Sequence, residues 1–302
     1  MATSTTEAVT ARDGTEILVR RWAAAGEPWA SVIVVHGIAE HSGRYEHVGG
    51  WLSDAGIDVT AYDQRGFGAS AGRRAWLDRW SRNHDDLEER LASTRATAAG
   101  RPVFVYGHSL GGLIALGYAV ANPPRPQPDG YVLSAPATAS EIPLWKQALA
   151  QILGRIAPGI AIPNAFDGGL LSRDPEVGRV YQADPLNQHT TTTRFGLEAI
   201  REQARVRDAM ARLTVPTLVI HGASDRLVSP SASAPLAELP GVTRRTYPNL
   251  RHEMHNEPEG REVVEDVIAW LRAQAADPAR AADPARAADS AHAAGAASRP
   301  AP

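Results

Sequence analysis

The chain has 302 residues, enough to bury one large core carrying a substantial insertion, so two independent domains are not required. It is 43% hydrophobic and 22% charged with a formal net charge of -3, so nothing in it offers the basic field that draws a protein onto nucleic acid or anionic lipid. Zero cysteines exclude disulfides, thiolate metal sites and a cysteine nucleophile, so any covalent chemistry needs another side chain.

The opening MATSTTEAVTARDGTEILVRRW lacks a basic n-region followed by an apolar h-region, which leaves a cytoplasmic location as the default. No apolar run approaches the roughly 20 residues of a bilayer span, and a soluble protein is expected. ARDGTEILVRRW predicts a hairpin turning at Asp13-Gly14. Beyond it, short β-branched runs alternate with helical patterns: SVIVVHG (31–37), IDVTAYD (57–63), PVFVYGH (102–108), GYVLSAP (130–136), TVPTLVIHG (214–222) and VTRRTYP (242–248). That rhythm predicts an α/β fold with a mostly parallel central sheet covered by helices on both faces.

One interval breaks the rhythm. Residues 138–212 hold no convincing strand and are too long for a loop, which predicts a helical cap inserted between a first core segment (1–137) and a second (213–276). Within it Ile142, Trp145, Leu149, Ile152, Leu153 and Ile156 recur at helical spacing. That face either packs onto the main domain or lines an acyl-chain tunnel and touches a lipid surface transiently. The Ala/Pro/Arg/Asp repeat at 277–302 has no large apolar residue to offset its ordering entropy, and a disordered tail is expected there.

Gly107-His108-Ser109-Leu110-Gly111 fits G-x-S-x-G and lies directly after a strand and before a helical pattern. A sharp turn there exposes Ser109 at a helix N-terminus. A serine hydroxyl is a poor nucleophile at neutral pH, so it needs an imidazole to take its proton and a carboxylate to fix that imidazole. Asp225 ends the strand TLVIHG and is the candidate acid, with Asp208 a weaker one; His252 is favoured as base over His255, which reads as a surface histidine. His221, inside an apolar strand, reads as a core residue. Two backbone amides, of Leu110 after the nucleophile and of Ile38 after the first parallel strand, would form the oxyanion hole, each worth roughly 3 kcal/mol to the transition state. His36 reads as a brace for that loop. These features predict an ester hydrolase working through an acyl-enzyme, with a small-molecule ester as substrate and no metal or cofactor required.

The blocks HGIAEHSGRY (36–45), YDQRGFGAS (62–70), GHSLGG (107–112), SRDPEV (172–177), DPL (184–186), LTVPTLVIHGASDRLV (213–228) and RHEMHNEPEG (251–260) stand in one order along most of residues 10–272. In them the chain resembles the monoacylglycerol lipase and lysophospholipase branch of the α/β hydrolases, also grouped with the serine aminopeptidase-like hydrolases. The resemblance implies the α/β-hydrolase fold, Ser109, Asp225 and His252 as triad, Ile38 and Leu110 as oxyanion donors, and Glu40, Arg44 and His108 around a glycerol head group. Glu40 and Arg44 alternatively pair to brace their own loop. Arg251 departs from relatives, which commonly carry a smaller or aromatic residue there. The resemblance implies a monoacylglycerol substrate first, with a short-chain carboxylesterase or lysophospholipase as alternatives. Epoxide hydrolases and dehalogenases of this fold use an aspartate where Ser109 stands, and a catalytically silent binding protein has no need of the full residue set.

Overall fold

The computed structural model describes residues 3–139, 143–164 and 167–277; the expected tail beyond 277, and Ile142 of the amphipathic pattern, lie outside them. Strands β1 (Thr5–Thr10) and β2 (Glu16–Trp22) form the antiparallel hairpin expected from Asp13-Gly14, with Gly14 at positive φ in its turn. There follow β3 (Ala30–Val35), α1 (Glu46–Asp54), β4 (Ile57–Tyr62), α2 (Ser81–Ala98), β5 (Val103–His108), α3 (Leu110–Ala119) and β6 (Gly130–Ser134). Next come α4 (Leu144–Ile156), β7 (Ala161–Pro163), α5 (Pro175–Ala183), β8 (Thr190–Thr192) and α6 (Thr193–Ala209). The chain then returns through β9 (Thr217–Gly222), β10 (Val242–Tyr247) and α7 (Gly260–Ala275).

Eight strands make one sheet in the order β1-β2-β4-β3-β5-β6-β9-β10, antiparallel at β1-β2-β4 and parallel from β4 onward. The continuous apolar runs are explained by two cores, one on each face. Ile33, Val35, Val103 and Val105 point into the core capped by α2 and α3, while Val32, Val34, Phe104 and Tyr106 point into the core capped by α1 and α7. The two edge strands differ: β1 is almost wholly exposed and β10 mixes exposed and half-buried residues, and the two arginines of β10 suit an edge that must not recruit another strand.

The order fixes where a site can form. From β3 the chain moves to β4 on one side and then crosses back to β5 on the other, so a crevice opens beyond the C-terminal ends of β3 and β5. The Gly37 loop and Ser109 both emerge at that crevice.

Between β6 and β9 the chain leaves the main sheet. This insert is helical as expected, but it also contains a small antiparallel pair, β7 with β8, too short to register as strands by periodicity. Its first helix differs from the packing expectation. Trp145, Leu149, Ile152 and Ile156 are 65%, 46%, 53% and 74% exposed, so the apolar stripe of α4 faces outward. The helix seats on α6 through Gly154, where a Cβ would lie 2.5 Å from Leu197 Cβ and 2.7 Å from the Thr193 carbonyl oxygen. That close approach, the half-buried Leu153 and the bond from Thr193 Oγ1 to the Ala157 carbonyl at 2.6 Å join α4 to α6.

Candidate active site

Ser109 caps α3 with φ 51° and ψ -113°, a conformation that a side-chain-bearing residue adopts only under constraint. The constraint is visible on both sides. A Cβ on Gly107 would sit 2.5 Å from the Gly111 carbonyl oxygen, and one on Gly111 would collide with the carbonyl oxygens of Val35 and His36. The Ser109 amide donates to the Ser134 carbonyl at 2.9 Å and its own carbonyl accepts from Ala137 at 3.0 Å. Strand, helix and neighbouring strand thus fix the backbone of Ser109 at the crevice.

Asp225 follows β9 in a tight loop. Its Oδ1 accepts from the amides of Leu227 at 2.8 Å and Val228 at 3.0 Å, and its Oδ2 accepts from His252 Nδ1 at 2.7 Å. Burial alone would push this carboxyl up, but hydrogen bonds from His221 and His252 more than offset it and hold it below the usual carboxylate range. The same contact acts on the imidazole: burial works against protonation of His252, yet the hydrogen bond and charge of Asp225 raise its pKa above the ordinary histidine value. Asp208, the weaker candidate acid, is exposed on α6 and away from this contact.

The His108 ring, next to Ser109 in sequence, lies 4.8 Å from that of His252 and 4.9 Å from that of His255. Burial pushes His108 down to about 3, and burial with the neighbouring His108 holds His255 well below the ordinary range, so both rings are neutral, His108 against His252 and His255 against His108. His255 is therefore not at the surface; it is buried and stacks on Tyr45 at 5.0 Å. Its polarity misled the sequence reading, because neither ring nitrogen has a hydrogen-bond partner among the described residues.

The loop after β3 runs against the nucleophile: a Cβ on Gly37 would lie 3.4 Å from Ser109 Cβ. Its shape is held by side chains of its own block. His36 Nδ1 donates to the Gly37 carbonyl at 2.7 Å while its Nε2 accepts from the Gln64 amide at 2.9 Å, the bracing role expected for it. Glu40 Oε1 accepts from the Gly37 amide at 2.5 Å and the Tyr45 hydroxyl at 2.8 Å. Glu40 Oε2 accepts from Arg44 at 2.6 Å, and Arg44 also forms a two-pronged pair with Glu253, at 2.6 and 2.8 Å. Glu40 and Arg44 thus meet, as one of the two readings expected, and the guanidinium joins the loop after β3 to Glu253, next to His252. Burial would raise Glu253, but the charge of Arg44 beside it holds its carboxyl low.

The insert closes the same ring of loops. The Ala39 carbonyl, on a residue at positive φ, accepts from the Tyr181 hydroxyl at 3.2 Å and the Gln188 amide at 3.1 Å, and His41 Nε2 pairs with Asp184 at 2.9 Å. Glu257 is buried and accepts from Ser172 Oγ at 3.2 Å, the Arg173 amide at 3.0 Å and the Arg251 amide at 2.6 Å. Arg251 donates to the carbonyls of Gly169 and Ser172 and so ties the loop that carries His252 to the insert. Sequence reasoning did not single out Glu253 or Glu257. The signal was present in RHEMHNEPEG, where three glutamates stand close to two histidines in a chain rich in arginine.

Among the described residues Arg44 is the only positive charge shared by two buried carboxylates, which orders the cost of removing members of this cluster. Arg44→Met strands both Glu40 and Glu253 and is expected to cost about 3–5 kcal/mol. Glu253→Gln keeps the Arg44–Glu40 pair and is expected to cost about 1–3 kcal/mol. Urea unfolding midpoints check the order, and equal losses would show that the guanidinium is not the hub.

The sequence profile of the hydrolase family described as serine aminopeptidase, S33, matches residues 26–259. A monoacylglycerol lipase of Mycolicibacterium smegmatis is 35% identical over 264 residues, covering 85% of this chain and 93% of that one. A human monoglyceride lipase is 31% identical over 273 residues, covering 87% and 89%. The crystal structure of a Paleococcus ferrophilus monoacylglycerol lipase superposes with a TM-score of 0.77 at 30% identity, covering 86% of this chain and 99% of that one. A soluble variant of a Saccharomyces cerevisiae monoglyceride lipase, 21% identical, shares the fold with a TM-score of 0.82 over 91% of this chain and 96% of that one. With the α/β-hydrolase fold and the extent of these matches, the chain belongs to the serine aminopeptidase, S33, family of hydrolases, in the branch that resembles the monoacylglycerol lipases.

Proposed function

We propose that this ester hydrolase is a monoacylglycerol lipase acting through an acyl-serine. The observation that carries the reading is the 2.7 Å contact of His252 Nδ1 with a buried Asp225, beside a serine held in a constrained turn at the sheet's crevice. His252 Nε2 takes the proton of Ser109 as Oγ attacks the ester carbonyl, and the amides of Ile38 and Leu110 hold the negative oxygen. The imidazolium then protonates the leaving alcohol. Water, deprotonated in turn by His252, attacks the acyl-enzyme, releases the fatty acid and returns the proton to Ser109.

Glu40, Arg44 and His108 frame the head-group end of this pocket in our reading. Glu40 and Arg44 act there chiefly by fixing the oxyanion loop, since both Glu40 oxygens already have protein donors. The names of the relatives support glycerol as leaving group. Residues 138–212 serve as the cap over the acyl chain.

A fluorophosphonate probe is expected to label Ser109, and Ser109→Ala should abolish both labelling and turnover. The carboxylate raises the base's pKa, so kcat/KM should fall as pH drops through that raised value. Asp225→Asn should lose about 10⁴ in kcat and move the acid limb to lower pH. A variant with unchanged rate and profile removes Asp225 from the mechanism.

Initial rates across monoacylglycerols, aryl esters and lysophospholipids of varied chain length test the substrate. We expect long-chain monoacylglycerols to lead. A flat response favouring aryl acetates would assign a short-chain carboxylesterase, and a preference for lysophospholipids a lysophospholipase.

The outward stripe of α4 supports transient contact of a cytoplasmic enzyme with lipid surfaces. Among the described residues no helix is long and apolar enough to cross a membrane. Ile152→Asp with Ile156→Asp should reduce co-sedimentation with phosphatidylcholine vesicles and slow turnover of vesicle-borne substrate, leaving rates on a soluble aryl ester unchanged. Equal slowing on both substrates would count against a lipid role.

A further inference from the structure

His221 is fully buried in β9, four residues before Asp225, and was expected to be a core histidine without chemistry. Its Nε2 lies 3.2 Å from Asp225 Oδ2 and 3.0 Å from the Val228 carbonyl oxygen, and its Nδ1 lies 2.8 Å from Ser233 Oγ. A deprotonated carboxylate and a carbonyl can only accept, so the proton shared with them belongs to Nε2 whatever the state of the other nitrogen. Oδ2 is the same oxygen that receives His252 Nδ1 at 2.7 Å.

We infer that His221 is a positioning residue of the catalytic site, a second imidazole whose Nε2–H fixes Asp225 Oδ2 in place for His252. The inference rests on the triad reading above. With it, the carboxylate is held by four donors: the amides of Leu227 and Val228 on Oδ1, and the two imidazoles on Oδ2. The far side of His221 is held in turn, because Ser233 Oγ accepts from Arg244 Nε at 3.2 Å and Arg244 reaches the Pro230 carbonyl at 2.7 Å. A line of side chains therefore runs from the edge strand β10 through the sheet to the base.

The second donor also sets how strongly Asp225 holds a proton on His252. A carboxylate oxygen that shares its lone pairs between two N–H groups is a weaker acceptor toward each. Removing His221 makes Asp225 more basic toward His252, which raises the base's pKa, and it frees the carboxylate to rotate, which lowers the rate. The other groups that bear on this pair are His108 against the His252 ring, and Glu253, Arg44 and Glu40 beside it; none of them touches His221 among the hydrogen bonds and ion pairs of the described residues.

The test compares three substitutions at position 221 by kcat/KM against pH on a soluble ester, normalised to fluorophosphonate-reactive sites. Glutamine places its amide nitrogen where Nε2 stands, asparagine is too short to reach, and leucine has no donor. His221→Leu is expected to lose about 10- to 100-fold in kcat/KM, from the loss of a hydrogen bond to a charged group. Its acid limb should move to higher pH, opposite to Asp225→Asn. His221→Gln should restore most of the rate and return the limb toward wild type. If the leucine variant does not fold, asparagine against glutamine makes the same comparison between two amides. An acid limb unmoved in Leu or Asn, or Gln no better than either, overturns the inference. If Asp225→Asn itself leaves rate and profile intact, the triad reading fails; an inactive Asp225→Asn with indifferent His221 variants removes only His221.

Discussion

The turn that carries Ser109 is too tight for side chains, and the rest of the site is arranged around that constraint. Gly107 and Gly111 touch backbone with no room for a Cβ, and the serine between them takes a positive φ. Such a conformation costs on the order of 1–3 kcal/mol and persists only where the surroundings overdetermine it. Here β5, α3, β6 and the end of β3 all bear on it, which is why the turn stands at the crevice where strand order reverses.

Around that fixed point the other loops are held by buried charge. Asp225 has four hydrogen-bond donors, Arg44 spans Glu40 and Glu253, and Glu257 gathers Ser172, Arg173 and Arg251. Isolated buried charges are expensive, but each of these is met by hydrogen bonds of good length, so their net effect is geometric. Each cluster joins segments far apart in sequence, and a site assembled from β3, β5, β9 and the loop after β10 needs such ties to keep its parts in register. His108, packed on His252, and His255, packed on His108, are held neutral by burial, which outweighs the pull of nearby carboxylates such as Glu253.

The parts that depend on local pattern were legible in the sequence. Alternating strands and helices, the hairpin at Asp13-Gly14 and the G-x-S-x-G turn follow from periodicity or from residues a tight turn demands; the break in rhythm after β6 was visible too, but not the short β7–β8 pair within it. The contact of His252 with Asp225 also followed, because chain order and strand ends restrict the candidates. What did not follow depends on three-dimensional meeting. The outward stripe of α4 has the spacing of a core-facing helix, and only the Gly154 contact with α6 reveals which face is inside. His255 and His221 are both buried histidines, one stacked on Tyr45 and packed on His108 and the other hydrogen-bonded to Asp225, and spacing along the chain does not separate the two.

The Ala39 carbonyl belongs to the residue after Ile38 and is gripped from the insert by Tyr181 and Gln188. The loop after β3 and the insert are thereby mechanically linked. A movement of the insert large enough to strip the bonds from Tyr181 and Gln188 also frees the Ala39 peptide, so the stiffness of the loop that runs against Ser109 depends on a grip supplied from well over a hundred residues away in sequence.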